Sequence, residues 1–206
     1  MKRYYLGLIR LRYVAGKPQH KGIMLFSDFQ KNLDKLPFDE LQSRRKGQSV
    51  RSLAYFLGSN EVAIQKYKNN PDEPVKESHI RCVDFLLKMP KEQQIHILSQ
   101  SVNNPILSVT ESQRCKVKHY DALESRLLKL GMSKLGVYSL LGTRNSVVDN
   151  ARKKGAMSKG LAAIVGLTSR FSNDELLELA VEYETSERKL PALKEKLMKK
   201  HSKSST

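Results

Sequence analysis

Apolar residues recur along this chain at helical spacing, in short segments broken by turn residues, and only its beginning alternates. Phe29, Leu33 and Leu36 fall three and four residues apart until Pro37. Ser27 stands three residues before Gln30, the spacing of a capping box, so a helix is predicted to start there. Further on, Ile80, Val83, Leu86 and Leu87 make one stripe, and Pro90 opens a helix carrying Gln94, Ile95, Ile97 and Leu98. His79 and His96 read as surface or core-edge residues of these helices. KNNPDEPVKE is a loop by composition, and the weakly periodic SQSVNNPILSVT, from Ser99 to Thr110, reads as a connection between domains. At the start, Tyr5, Ile9, Leu11 and Tyr13 share one parity and Arg10 and Arg12 the other, which favours a strand. Ile23 to Phe26 could return as its hairpin partner, with one long helix as the alternative.

The most informative stretch is Ser49–Tyr67, SVRSLAYFLGSNEVAIQKY. A helix-turn-helix needs a small residue at its fifth position, where two short helices cross, and a residue tolerant of left-handed backbone at its ninth. Counted from Val50, Ala54 is fifth and Gly58 ninth, and Leu53, Leu57, Ile64 and Tyr67 fill the apolar positions. Asn60, Glu61, Gln65 and Lys66 are then left on the outer face of the second helix, where base edges are read. An ordinary helical hairpin with a glycine C-cap fits the same window.

The motif has a second copy. In Ser133–Ala151, SKLGVYSLLGTRNSVVDNA, Gly142 stands 84 residues after Gly58. At that offset Val137, Leu141, Val148 and Ala151 match the apolar positions of the first copy. Tyr138 falls at the small fifth position, where its ring is expected to force the helices apart or point outward. Thr143, Arg144, Asn145, Ser146, Asp149 and Asn150 take the reading positions, with Lys153 and Lys154 following in a basic loop. Both copies continue with a loop and two more helices, the second time over Gly160–Leu167 and Asn173–Glu182.

LLGTRNSVVDNARKKGAMSKGLAAIVGLTSRFSNDELLELA resembles the DNA-binding domain of the Cro and phage-repressor superfamily, and SLAYFLGSNEVAIQKYKNNPDEPVKESHIRCVDFLLKMP resembles it similarly. Together they cover roughly half the chain, and the resemblance implies that family's helical fold and duplex DNA as partner. MSKGLAAIVGL is also similar to the helix after the helix-turn-helix of ParB-type partition proteins. That family's arginine-rich nucleotide-binding box is missing, so no nucleotide switch is expected.

Charge narrows the partner. Lys and Arg total 37 against 21 Asp and Glu, a formal net charge of +16 over 206 residues, and a polyanion is the natural counterpart. No run of ~18 apolar residues suggests a membrane span, and no signal peptide follows the basic start, so a cytoplasmic, nucleoid-associated protein is expected. Arg44, Arg45, Lys46 and Arg51 precede and enter the first motif, where phosphate contacts are made, although a solvated loop reads equally well. The end of the chain, from Arg188, carries seven Lys and Arg against one Glu. It is expected to begin as an amphipathic helix through Leu190, Leu193 and Leu197 and to finish as a disordered tail. Cys82 and Cys115, without a CxxC or a nearby His pair, read as reduced thiols and not as zinc ligands.

No phosphate loop, HExxH, GxSxG or suggestive carboxylate pair is present, and Asp34, Asp39 and Glu40 read as solvated surface, so no enzyme, cofactor or metal is expected. RNA is the rival polymer. Its readers stack bases on exposed aromatics, whereas Phe and Tyr make up 7% of this chain, Trp is absent, and many rings fall at core positions.

The expectation is therefore a mainly α protein with two helix-turn-helix bundles in tandem and a small N-terminal β element. The divisions are 1–46, 47–100, a linker at 101–120, 121–187 and a basic tail at 188–206. Its expected function is sequence-specific transcriptional regulation, with plasmid partition or replication as the alternative within DNA binding. RNA polymerase is a candidate contact. The edge of the N-terminal strand offers a route to a homodimer.

Overall fold

The computed structural model describes residues 24–41, 49–102 and 115–203. Among them run eleven α-helices, one short 3-10 turn at Phe38–Glu40, and no strand. The first half holds α1 (Phe26–Leu33), α2 (Val50–Phe56), α3 (Glu61–Asn69), α4 (Glu77–Lys88) and α5 (Lys91–Val102). The second holds α6 (Val117–Leu130), α7 (Lys134–Leu140), α8 (Asn145–Lys154), α9 (Lys159–Thr168), α10 (Asn173–Tyr183) and α11 (Leu190–Lys203). No described helix is long and apolar enough to cross a membrane.

Several expectations change. The expected strand from Lys2 lies outside the described residues. Of its partner, Ile23 also lies outside them, Leu25 is extended but makes a single antiparallel bridge, to Pro74, and Phe26 already begins α1. Ser27 is not a cap, since the helix starts one residue before it and Leu25, which has no capping side chain, stands at the N-cap. Backbone contacts replace the box: the Phe26 and Ser27 N–H groups donate to Glu73 O and Pro71 O, both at 3.0 Å. The expected linker is largely helical at its ends, with α5 running to Val102 and α6 starting at Val117. Residues 190–203 of the basic tail form a docked helix, because Leu193 is buried and the Lys196 ammonium caps the end of α6 at Leu130 O, 2.8 Å away.

The two halves repeat one packing order. α1 lies on α4 as α6 lies on α9, and α2 lies on α5 as α7 lies on α10. The halves then meet through α4 and α9, the most extensive helix pairing among the described residues. Their sequences explain it. From Leu161 to Thr168 every side chain of α9 is buried, and α4 buries His79 to Val83, Phe85 and Leu86. A helix apolar on all sides must be covered on all sides. Ala162, Ala163 and Gly166 keep α9 thin enough for close approach. Phe85 then stands edge-on to Phe171 at 6.0 Å and to Tyr183 at 5.9 Å, contacts worth about 0.5–1.5 kcal/mol each beyond their buried area.

Each motif's turn is held by the other half. Gly58 and Gly142 have φ of 61° and 57°, the left-handed region. A Cβ on Gly58 would lie 2.3 Å from Lys159 O, at the start of α9; a Cβ on Gly142 would lie 3.0 Å from Glu77 Cγ and 3.2 Å from its carbonyl carbon, at the start of α4. The contact is reciprocal, so the repeat is organised about an approximate twofold relation within one chain.

This arrangement separates two costs of a side chain. Gly155 has φ 64° but nothing within 4 Å of an added Cβ. Gly155→Ala should lose about 1–2 kcal/mol of stability, from backbone strain alone. Gly58→Ala adds a collision with backbone that cannot swing away, and should lose a further ~1–3 kcal/mol. Urea unfolding of the two variants measures the difference; equal losses would mean that the halves do not press together at Gly58.

Candidate nucleic-acid interface

The two helix pairs, α2 with α3 and α7 with α8, are built on one pattern with different solutions at the crossing. α2 and α7 have seven residues each, 84 positions apart, and each is capped by a serine: Ser49 accepts from the Ser52 N–H and Ser133 from the Gly136 N–H. The turns close alike, with Ser59 N–H donating to Ala54 O at 2.8 Å and Thr143 N–H to Tyr138 O at 2.9 Å. All eight expected apolar positions are buried. Ala54 lets α2 and α3 approach closely, whereas α7 and α8 stay farther apart. Tyr138 is the cause. Its ring is buried and wedged at the crossing, and its hydroxyl donates to Asn145 Oδ1 at 2.7 Å.

Other residues hold the wider motif in place. The Arg152 guanidinium donates to Asp121 and Glu124, both at 2.7 Å, tying α8 to α6, and it lies 5.4 Å from the Tyr120 ring centroid. The two carboxylates hold the Arg152 pKa above its ordinary value, and burial beside Glu124 raises that of Tyr120. Glu184 accepts from the Ser133 N–H and hydroxyl, both at 2.6 Å, placing a carboxylate at the start of α7. In the first motif Tyr67 does the anchoring: it stacks on Phe26 at 5.7 Å and accepts from the Lys76 N–H at 3.2 Å.

The expected reading residues are exposed except Thr143 and Asp149, which are half-buried, and most are already engaged within the chain. Asn60 caps α3, accepting from the Ala63 N–H at 2.7 Å; Gln65 donates to Asn69 at 2.8 Å; Lys66 pairs with Glu73 at 2.5 Å. Glu61 lies 3.9 Å from Arg51. On α8, Asn145 receives Tyr138 and donates to Asp149 at 2.8 Å, which suits it to positioning more than to reading. Ser146 and Asn150 are exposed, as are Lys153 and Lys154 at the helix end, where Gly155 caps it. Arg144 is the exposed N-cap of α8, and half-buried Thr143 precedes it. Arg44, Arg45 and Lys46 lie outside the described residues.

Between the two motifs opens a cleft of about 670 Å³, lined by both turns and by the first residues of α4 and α9. Asn60, Lys76, Arg144 and Ser158, the N-caps of α3, α4, α8 and α9, all border it. Four positive helix ends therefore meet there, beside the cations Lys76, Arg144 and Lys159. Such a surface favours phosphate. Neither Lys76 nor Lys159 stands out in the sequence, because each is a single lysine before a helix. The all-apolar run of α9 was the available signal that this end of the helix docks on another unit.

Cys82 and Cys115 form no disulfide, and burial pushes the Cys82 thiol up to about 12, which leaves it inert. Among the described residues no group of three or more His, Cys, Asp or Glu is placed to hold a metal ion. No protein family matches the chain, nor does any characterised protein or solved structure.

His79 is deeper than its sequence context suggests. It is buried at the cleft floor, its Nδ1 3.4 Å from the Tyr67 hydroxyl, and burial, with a smaller effect of the Lys76 ammonium, lowers its pKa from 6.5 to about 4. Above pH 6.5 the imidazole is neutral in both folded and unfolded chains. Between 6.5 and 4 the unfolded chain binds the extra proton, so stability falls as the pH falls, by on the order of 3 kcal/mol across that window. Replacing His79 by Gln should flatten this part of the profile, as read from denaturant midpoints at pH 4.5 and 7. An unchanged difference between the two pH values would show that His79 is not buried neutral.

Proposed function

We propose that this protein is a sequence-specific duplex-DNA-binding regulator that offers two reading helices, α3 and α8, from a single chain. The observation that carries the reading is the reciprocal docking of the two motifs. Each turn glycine rests on the other half's fourth helix, so both reading helices begin at one cation-lined cleft. Regulators with one helix-turn-helix obtain such a pair by dimerising about a twofold axis. Here the second subunit is the second half of the chain.

The net charge of +16 supports the partner, and its placement supports the mode. α11 directs part of its charge inward, Lys200 to Asp174 at 2.5 Å and Lys196 to the end of α6, while Lys153, Lys154, Arg144, Lys76 and Lys159 remain at α8 and the cleft. On this reading phosphates are contacted along the cleft and at the end of α8, and base edges by α3 and the start of α8. The two helices enter major-groove faces about 10 base pairs apart, or a multiple of it. Regulation follows from occupancy near a promoter, and its sign from where the site lies.

Selection of bound duplexes from a random library tests the reading directly. It should return a bipartite site bound by one chain per duplex in sedimentation, and structured RNA should compete poorly. On that site Gln65→Ala and Arg144→Ala should each cost about 1–3 kcal/mol and relax base preference at different positions. Two chains per duplex, or an Arg144→Ala protein with unaltered affinity and preference, would remove the second motif from the reading surface.

A further inference from the structure

Val62 is the most exposed large apolar residue among those described, at 79%. It sits on the outward face of α3, where Val62, Gln65, Lys66 and Asn69 follow at helical spacing and all are exposed. The polar members of that face are engaged with one another or with the next loop, Gln65 with Asn69 and Lys66 with Glu73. Val62 instead borders a shallow groove of about 630 Å³ that runs along α3 from Val50 past Glu61 to Asn70. A β-branched side chain so exposed gains nothing in the free protein, from packing or from helix propensity.

We propose that Val62 is a specificity residue that recognises the 5-methyl group of a thymine in the major groove. This rests on the DNA-binding reading above and deepens it. Each base pair presents a distinct pattern in that groove, and the thymine methyl is its one apolar group. A short branched side chain near the start of a reading helix fits that methyl, and removing both from water is the gain. Gln65, one turn further along the same face, can turn from Asn69 to adenine, placing the two contacts within one or two base steps of each other. The equivalent position of α8 is Ser146, a hydroxyl. The methyl contact therefore belongs to the half-site read by α3 alone.

Deoxyuridine lacks only the methyl, so it isolates the contact. Each thymine of the selected duplex is replaced in turn by deoxyuridine, and affinities are measured for the full chain, for Val62→Ala and for Ser146→Ala. For the parent protein, affinity should fall about fourfold, the worth of one methyl-sized apolar contact, at one position of one half-site. Val62→Ala should bind the thymine duplex correspondingly more weakly and be indifferent to deoxyuridine there, while Ser146→Ala keeps the parent's response. Val62 is exposed, so its variant should keep the parent's thermal midpoint. Tolerance of deoxyuridine everywhere by the parent, or an undiminished response in Val62→Ala, overturns the assignment while leaving DNA binding intact. A change in the mass of the free protein on Val62→Ala, with the deoxyuridine response kept, would mark the groove as a protein interface and overturn it too. If no duplex is selected at all, the DNA-binding reading fails first and this one with it.

Discussion

The contact between α4 and α9 governs the rest of the molecule. Each helix pair is small, with two short helices crossing over few side chains; among the described residues neither half has a strand to brace it, and Cys82 and Cys115 are free thiols. By burying α9 from Leu161 to Thr168 and α4 at His79 to Val83, Phe85 and Leu86, the chain joins the two bundles into one hydrophobic cluster running from Phe26 to Leu193. The same contact sets the relation between the motifs. Because Gly58 lies against Lys159, and Gly142 against Glu77 and Ser78, neither turn can tilt without displacing the first turn of the opposite fourth helix. Packed interiors resist such displacement. Spacing between α3 and α8 is thereby a property of the core and not of a flexible linker.

Within that frame the halves have diverged where symmetry permits. The first motif is narrow at its crossing and anchored by a ring at its end, Ala54 and Tyr67; the second has the ring at the crossing and a small residue at the end, Tyr138 and Ala151. The wedge in the second motif brings a need for polar bracing. Tyr138 finds Asn145, Arg152 finds Asp121 and Glu124, and Glu184 closes over the start of α7. Buried or half-buried polar groups are costly unless paired, and here the groups that hold the wider geometry pair among themselves. Arg81 and Arg51 are exceptions among the described residues. The Arg81 guanidinium lies 4.2 Å from the Tyr183 ring centroid and pairs with Glu77, yet its Nε and Nη1 have no hydrogen-bond partner, and the Nε of Arg51 has none either.

Helix-level periodicity was legible where an element carries its own apolar stripe, although α6 was not read and its first residues were assigned to the linker. The positions of both motifs, the glycines of both turns and the two following helices could be read from spacing alone, and the structure keeps the 84-residue offset from serine cap to second helix. The effect of Tyr138 was legible too, since a ring at a crossing has few alternatives. What sequence could not show was the pairing of the halves. Gly58 is required twice, by its left-handed φ and by the closeness of Lys159, and only the first requirement belongs to the local pattern. Lys76 and Lys159 have meaning only once four helix ends share a cleft. The start of α1 was misplaced for a related reason: loop carbonyls at Glu73 and Pro71 satisfy its first N–H groups, and a distant loop leaves no mark beside Ser27.

Covalent pairing of two motifs also changes what a binding surface can evolve to do. A homodimer must use each reading residue twice, so its two half-sites are held to one sequence. In a single chain the restriction is gone. α3 carries Val62, Gln65 and Lys66 where α8 carries Ser146, Asp149 and Asn150, an apolar, amide and cationic face opposite a hydroxyl, acidic and amide one. On the proposed reading these faces favour different base pairs, and the approximate twofold of the fold would not be matched by a palindrome in the DNA. Assembly also carries no concentration dependence, because joining the halves is part of folding and not a bimolecular step. The structural cost is that neither half can be loosened separately: a change at the α4–α9 contact moves α3 and α8 at once.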